Sequence, residues 1–329
     1  MNKEQPLVSV VLLSYNRPRS LTAALDSIIA QTYGALEVIV VDNRSAASGE
    51  IAELVRRRYR GVRLVRNGGN QGYTGGMNGG LAEATGDYIH FTVDDVLLES
   101  DCIEQLVNHA EAHPFEGMLA GIIMNEDRRT ICCAGGDFSL SPIYRRAHVG
   151  AGEEDTGQFS QPFEVSCLDG AMIFSRRQFM RSLGGFREEF FMYSDSIELS
   201  ARVLKAGGRI TIVPGARVYV SDLPHGYTRE GISFHKMKNL YAMYLLHARW
   251  RVLPEFFLRY GVLVPLRSML GNRKMVWPLV KAWGWFLSKT PSLLRERSRA
   301  ALDGARGSGA DGGRAGATKC RTPTGQVQG

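Results

Sequence analysis

Apolar runs alternate with stretches of helical period through the first hundred residues. Leu7 to Leu13, interrupted only by Ser9, is apolar and β-branched, which predicts a strand covered on both faces of a sheet. It stops at Ser14-Tyr15-Asn16-Arg17-Pro18. Leu21, Leu25, Ile28 and Ile29 then recur at helical spacing, and Leu36 to Val41 forms a second buried strand ending at Asp42-Asn43. The alternation continues with a helix from about Glu50 to Tyr59, a short strand Val62 to Val65, a glycine-rich loop, a helix near Met77 to Ala84 and a strand Tyr88 to Thr92. This is a doubly wound α/β half-domain. Ligands of such sheets bind beyond the carboxyl ends of the strands, here around Ser14 to Arg17, Asp42 to Ser45 and Val93 to Asp95.

The second half is less regular. A helix is expected from about Asp101 to His113, strands at Met118 to Met124 and Val165 to Phe174, and glycine turns near Gly135 and Gly150. A helix from Ser196 to Ala206 and strands Arg209 to Val213 and Arg217 to Val220 complete a mixed, mainly parallel sheet flanked by helices. Residues 232 to 300 read as helices, and residues 301 to 329, rich in Gly, Ala, Thr and Arg, as disordered. The division is a body over 1–230, a helical extension over 231–300 and a tail over 301–329.

Charge sharpens that division. Residues 231–300 hold thirteen Lys and Arg against two acids and the tail four against two, so of the net +7 the first 230 residues carry −6. An acidic body without a basic, aromatic-studded face argues against nucleic-acid binding. The five cysteines, Cys102, Cys132, Cys133, Cys167 and Cys320, lack zinc-like spacing and read as reduced structural thiols. The apolar run at the N-terminus is too short to span a bilayer and precedes no cleavage site, and Pro254, Arg259, Pro265 and Arg267 cut the later apolar stretches below the ~20 residues a span needs. A cytoplasmic protein is expected.

Seven of the thirteen residues from Gly68 to Gly80 are glycine. Such a segment lets backbone amides approach a ligand and opens onto a helix N-terminus, where negative charge is favoured. Asn70, Gly72 and Asn78 are its candidate donor-binding residues. Gly307-Ser308-Gly309-Ala310-Asp311-Gly312 matches a dinucleotide fingerprint by accident, with no strand before it. Asp94-Asp95 follows directly on an apolar strand, placing two hard oxygen ligands at the sheet edge, suited to a divalent ion shared with a diphosphate.

The ordered series Val8 to Pro18, Val40-Val41-Asp42-Asn43-Arg44-Ser45, Arg66-Asn67, Asn70-Gln71-Gly72, Gly86-Asp87-Tyr88, Asp94-Asp95, Gly184-Gly185-Phe186 and Phe190-Phe191-Met192-Tyr193 resembles family-2 glycosyltransferases. Among them it looks most like the bacterial rhamnosyltransferase-like and galactofuranosyltransferase-like members, over roughly residues 7 to 250. The resemblance implies a GT-A fold, a nucleoside diphosphate sugar donor, Mg²⁺ or Mn²⁺, and inversion at the anomeric carbon. By position it gives Asp42, with Ser14, Tyr15, Asn16 and Arg17, to the nucleoside. It gives Asp95 to the metal with Asp94 beside it, and places Asp169-Gly170-Ala171 next to the acceptor and the donor sugar.

The chain departs from the family at three places. Val93 stands at the start of the metal motif; the pair whose aspartate is the catalytic base falls on Asp195-Ser196; and Val220 replaces a late histidine, with His225 five residues on as a candidate metal ligand. Asp195 and Glu198 also fit a capping box, a purely structural role. Either carboxylate within reach of an acceptor hydroxyl would serve as the base. Two functions follow: an inverting glycosyltransferase acting on a lipid-linked or cell-envelope glycan, or a catalytically weak relative that binds nucleotide sugar or a partner enzyme. The extension interleaves Tyr241, Tyr244, Trp250, Phe256, Phe257, Trp277, Trp283, Trp285 and Phe286 with bases, a composition that suits an anionic membrane surface on the inner face of the cell membrane.

Overall fold

The computed structural model describes residues 5–220, 229–271 and 276–307. Its strands are β1 (Val8–Ser14), β2 (Leu36–Asp42), β3 (Arg63–Arg66), β4 (Tyr88–Val93), β5 (Val96–Leu98), β6 (Glu116–Met124), β7 (Ile131–Cys133), β8 (Gly136–Ser139), β9 (Arg145–His148), β10 (Phe163–Glu164), β11 (Met172–Arg176) and β12 (Arg209–Val220). The helices of the body are α1 (Pro18–Ile29), α2 (Ser48–Arg58), α3 (Gly72–Glu83), α4 (Cys102–Ala112), α5 (Arg177–Ser182) and α6 (Asp195–Lys205). They are followed by α7 (Arg229–His247), α8 (Leu253–Phe256), a π-helical stretch (Phe257–Leu263), α9 (Val264–Gly271) and α10 (Val276–Gly307).

The main sheet runs β10-β12-β6-β11-β4-β1-β2-β3. β3, β2, β1 and β4 are mutually parallel, and β11 lies antiparallel between β4 and β6, which makes the sheet mixed. In register, Ser14 of β1 faces Asp42 of β2 and Leu13 faces Val93 of β4. Three polar strand ends therefore meet along one edge. β1 is buried along its whole length, as its uninterrupted apolar run requires.

Three segments differ from their expected form. The glycine-rich segment becomes helical at Gly72, five residues before the expected helix. A Cβ on Gly76 would stand 2.3 Å from Leu13 Cδ1, and one on Gly80 would stand 2.2 Å from Val11 Cγ1, so the missing side chains let α3 lie directly on β1. β12 is one strand of 12 residues rather than two, its register slipping between Ile212 and Arg217 where Pro214-Gly215 form a bulge. Of the expected segment Val165 to Phe174 only the end, from Met172, is strand, in β11; an irregular stretch that carries Asp169 separates it from β10.

The extension begins as α7 two residues before the expected boundary and packs on the body. Tyr241 and Tyr244 are fully buried, in one apolar cluster with Cys167, Phe190 and Ile197 of the body and Phe256, Ala282, Phe286 and Leu293 beyond α7. Tyr244 stacks on Phe256 with ring centroids 3.5 Å apart, and its hydroxyl donates to the Ser141 carbonyl at 2.6 Å. Arg297 of α10 donates to the carbonyls of Leu245 and Ala248, the latter at 2.6 Å. α10 runs on to Gly307, so the expected tail is helical at its start, and the rest of it, with Cys320, lies outside the described residues. Cys102, Cys132, Cys133 and Cys167 are in the thiol form, with no disulfide among them.

The apolar contact between α7 and the later helices makes them one cooperative unit with the body. Phe256→Ala, at a fully buried ring, should cost about 3–5 kcal/mol in urea unfolding of the full chain. A cost below about 1 kcal/mol would mean that the helices after α7 do not pack as described.

Candidate functional site

The polar edge is wired inward before any ligand arrives. The Ser14 hydroxyl donates to Asp94 Oδ2 at 2.8 Å, and the Tyr15 N–H lies 3.3 Å from the same oxygen. Asn16, with a left-handed φ of 60°, donates its N–H to Ser45 Oγ at 2.9 Å and accepts the Ala46 N–H at 2.7 Å, stitching the β1 loop to the β2 loop. Arg17 Nη1 donates to Asp95 Oδ2 at 2.6 Å and lies 3.8 Å from Asp94 Oδ1. Burial pushes the Asp94 carboxyl up to about 6, opposed by the Ser14 hydroxyl and helped by the charge of Asp95.

Asp42 is buried. It accepts the Ser45 N–H at 2.9 Å and the Ser48 hydroxyl, which fixes the turn into α2. The neighbouring Asn43 organises the start of α3: its Nδ2 donates to Asn70 Oδ1 at 3.0 Å and to the Gly72 carbonyl at 2.9 Å, and its Oδ1 accepts from Asn67 Nδ2 and the Gln71 N–H, each at 3.0 Å. Sequence reasoning placed Asn43 in the Asp42 to Ser45 segment and in the motif series but gave it no role of its own. Asn78, a donor-binding candidate, has its amide engaged elsewhere, accepting the Phe186 N–H at 2.8 Å and donating to the Phe186 carbonyl at 2.8 Å.

On the other side of α3 lies the loop that leads to Asp195. Gly72 has a φ of +67°, and a Cβ there would stand 2.2 Å from the Phe191 carbonyl oxygen, so only glycine fits between α3 and this loop. The Thr74 N–H donates to the Phe191 carbonyl at 3.2 Å. Tyr73 donates to the Gly170 carbonyl at 2.6 Å, which ties α3 to the segment of Asp169. Asp169 accepts the Ala171 N–H at 3.0 Å and pairs with Arg146 Nη2 of β9 at 3.3 Å. Arg146, which sequence reasoning missed because only the fold brings β9 here, also has a buried Nε with no partner.

Asp195 opens α6 as its first residue and is buried, with Oδ1 accepting the Ser196 N–H at 2.7 Å. Burial pushes its carboxyl up to about 6 against that hydrogen bond, and the Asp169 charge adds to the rise. A general base poised near neutral pH has this character.

Glu198 is different, and the capping box is absent. The residue before the helix is Ser194, in a left-handed conformation with no side-chain cap bond, and Glu198 turns away from it. Arg202 grips Glu198 at 2.8–3.0 Å, His247 Nε2 lies 3.1 Å away and Arg187 Nε 3.5 Å away. Burial alone would raise its carboxyl, but the His247 hydrogen bond and the two guanidiniums hold it well below the usual carboxylate range. A fully buried carboxylate stabilised by three partners is a poor proton acceptor, and in this arrangement Glu198 ties α6 to α7 through His247.

For the metal, Asp95 is the hard oxygen donor at the edge, while His225 lies outside the described residues. Among the described residues no three His, Cys, Asp or Glu side chains converge on one point. One or two carboxylates completed by phosphates is the donor set that Mg²⁺ takes in nucleotide sites; Asp95 has that chemistry, and an ion there would share it with the Arg17 guanidinium, 2.6 Å away.

A family model described as glycosyl transferase family 2 matches residues 9–184. An N-acetylglucosaminyl-diphospho-decaprenol L-rhamnosyltransferase of Mycobacterium tuberculosis is 28% identical over 232 residues, covering 64% of this chain and 75% of the relative. An amylovoran biosynthesis glycosyltransferase of Erwinia amylovora is 33% identical over 36% of this chain and 40% of its own. Among solved structures, GalNAc-T7 with UDP, GalNAc and Mn²⁺ superimposes with a TM-score of 0.61 at 15% identity, over 88% of this chain and 57% of that one. A mannosyltransferase of Pyrobaculum calidifontis in complex with GDP-Man and Mn²⁺ gives 0.53 at 18% identity, over 93% and 81%. The fold is the expected GT-A type.

The buried carboxyl of Asp195 predicts a pH signature. With its ordinary value near 3.8 raised to about 6, the stability this group contributes is full below pH 4 and is lost as pH rises through 6, by up to about 3 kcal/mol. Asp195→Asn should therefore raise the urea midpoint at pH 8 and leave it unchanged at pH 4. An equal effect at both pH values would remove the burial argument.

Proposed function

The chain belongs to glycosyl transferase family 2 and is a glycosyltransferase, and we propose that it moves a sugar, with inversion, from a nucleoside diphosphate donor to a lipid-linked or cell-envelope glycan. The observation that carries this reading is Asp195, a buried carboxyl near 6 at the start of α6, one loop away from the donor-side helix α3. The donor lies along Ser14 to Arg17, Asp42 and the start of α3, with the helix N-terminus and Arg17 facing its phosphates. The acceptor hydroxyl gives its proton to Asp195 as its oxygen bonds to the anomeric carbon, and the bond from that carbon to the diphosphate breaks, releasing a nucleoside diphosphate. A Mg²⁺ or Mn²⁺ held by Asp95 would supply charge compensation to the leaving group. Arg146 and Asp169 border the acceptor side.

The later helices support a membrane-surface location for this reaction. Among the described residues no helix is long and apolar enough to cross a membrane. Leu258, Val262 and Leu266 repeat every fourth residue and are 46–55% exposed, and Trp277, Val280 and Leu287 share another helical stripe at 50–64% exposure. Arg267 and Lys281 are exposed beside these stripes. Amphipathic helices of this kind lie in the headgroup layer, where each base near an anionic surface adds about 1 kcal/mol. A lipid-linked acceptor would be met there.

Two experiments test the reading. Purified protein screened against UDP-, dTDP- and GDP-sugars with Mn²⁺ or Mg²⁺ should release the nucleoside diphosphate. Asp195→Asn should lower turnover on the order of 10²-fold without weakening donor binding, and Asp95→Asn should abolish the metal-dependent part of that binding. Donor binding with no turnover in any condition would instead favour a non-catalytic relative. For the surface, Val262→Glu with Trp277→Glu should weaken binding to phosphatidylglycerol vesicles about tenfold or more, and wild-type binding should fall with salt. Unchanged vesicle affinity would exclude these stripes from contact.

A further inference from the structure

The backbone that delivers Asp195 is held in an unusual conformation by a helix outside the sheet. Phe191, Tyr193 and Ser194 all have left-handed φ, at 66°, 66° and 58°. Each costs of order 1–3 kcal/mol and persists only where its surroundings over-determine it. Such a backbone turns its carbonyls away from regular partners, and α7 supplies donors to them. Asn239 Nδ2 lies 3.0, 2.8 and 2.7 Å from the carbonyl oxygens of Phe190, Met192 and Tyr193. The Lys238 ammonium donates to the carbonyls of Glu189 and, at 3.2 Å, Phe190. Both side chains are buried, and the ring of Trp285 from α10 covers the ammonium at 4.3 Å.

Packing alone does not require this arrangement. Asn239 leaves its own Oδ1 buried without a partner, and burying a lysine on carbonyls is more costly still. Both costs serve the loop. On its far face the same loop is held by α3 through Thr74 and Asn78, while the start of α3 is fixed separately by Asn43 and Asn70.

We propose that Asn239 and Lys238 are positioning residues of the transfer reaction, acting through the Phe190–Ser194 backbone to hold Asp195 at a fixed place relative to the donor-side helix. The inference rests on Asp195 being the base. It makes the first helix after the body part of the catalytic apparatus.

The test measures release of UDP, dTDP or GDP from the same sugar panel by the full chain, with kcat and donor KM taken separately. Asn239→Leu and Lys238→Met should lower kcat on the order of 10–100-fold and leave donor KM within about twofold. Lys238→Arg, which keeps the donors, should recover much of the loss. In an Asp195→Asn background Asn239→Leu should cause no further loss, because a residue acting only through the base has nothing left to act on. If Asn239→Leu does not fold, the Lys238 pair carries the same test. Additive losses, or an unchanged kcat in both α7 variants while Asp195→Asn is dead, would overturn the inference and leave the base in place. Full activity in Asp195→Asn would overturn the base itself. Hydrogen exchange gives a readout independent of turnover: Asn239→Leu should deprotect the Thr74 amide more than it deprotects the core amides of β1, and unaltered protection at Thr74 would count against the inference.

Discussion

Backbone carbonyls shielded from water must be satisfied, and the run from Glu189 to Tyr193 draws on donors from outside its own loop. Donors from α3 and from α7 meet that need on opposite faces of the loop. The start of α3, Asp195 and the helices after the body are thus joined through a few main-chain oxygens. Gly72 belongs to the same constraint, since any side chain there would displace the Phe191 carbonyl. The sheet builds the edge, but this junction sets how the two halves of the site stand to one another.

Burial acts on Asp94, Asp195 and Glu198 in the same direction, and the partners decide the outcome. Asp94 and Asp195 have a hydroxyl or N–H to oppose burial and are pushed up to about 6. Glu198, no less buried, has two guanidiniums and an imidazole and goes the other way. A lysine sits beside this network, its Nζ 2.7 Å from His247 Nδ1, which leaves Nε2–H to donate to Glu198. One carboxyl three residues from another therefore becomes an anchor while its neighbour stays able to exchange a proton.

The edge of the sheet was legible because a buried parallel strand must be apolar until it ends, so Ser14, Asp42 and Asp94 mark their own positions. Asp195 was legible only through its place in a series of motifs. The Asp-x-x-Glu spacing equally suits a cap and a catalytic site, and only the guanidiniums of Arg187 and Arg202 around Glu198 separate the two. Asn239 was not legible at all. Its partners lie more than forty residues away, and nothing local distinguishes an amide on a buried helix face from one on an exposed face. α3 was read as a loop through its first turn because glycine disfavours helix, a preference overridden here by close contact with β1.

That contact has a consequence for what keeps the segment coiled. Five of the twelve residues of α3 are glycine, and each costs about 1 kcal/mol of helix propensity relative to alanine. The segment has little tendency to coil alone and cannot act as a nucleus. Its helical form depends on contact with Val11 and Leu13 of β1 and with the loop of Phe191. A ligand bound at the start of α3 would therefore add to the contacts that hold this helix, and would strengthen a segment whose own sequence does little to keep it coiled.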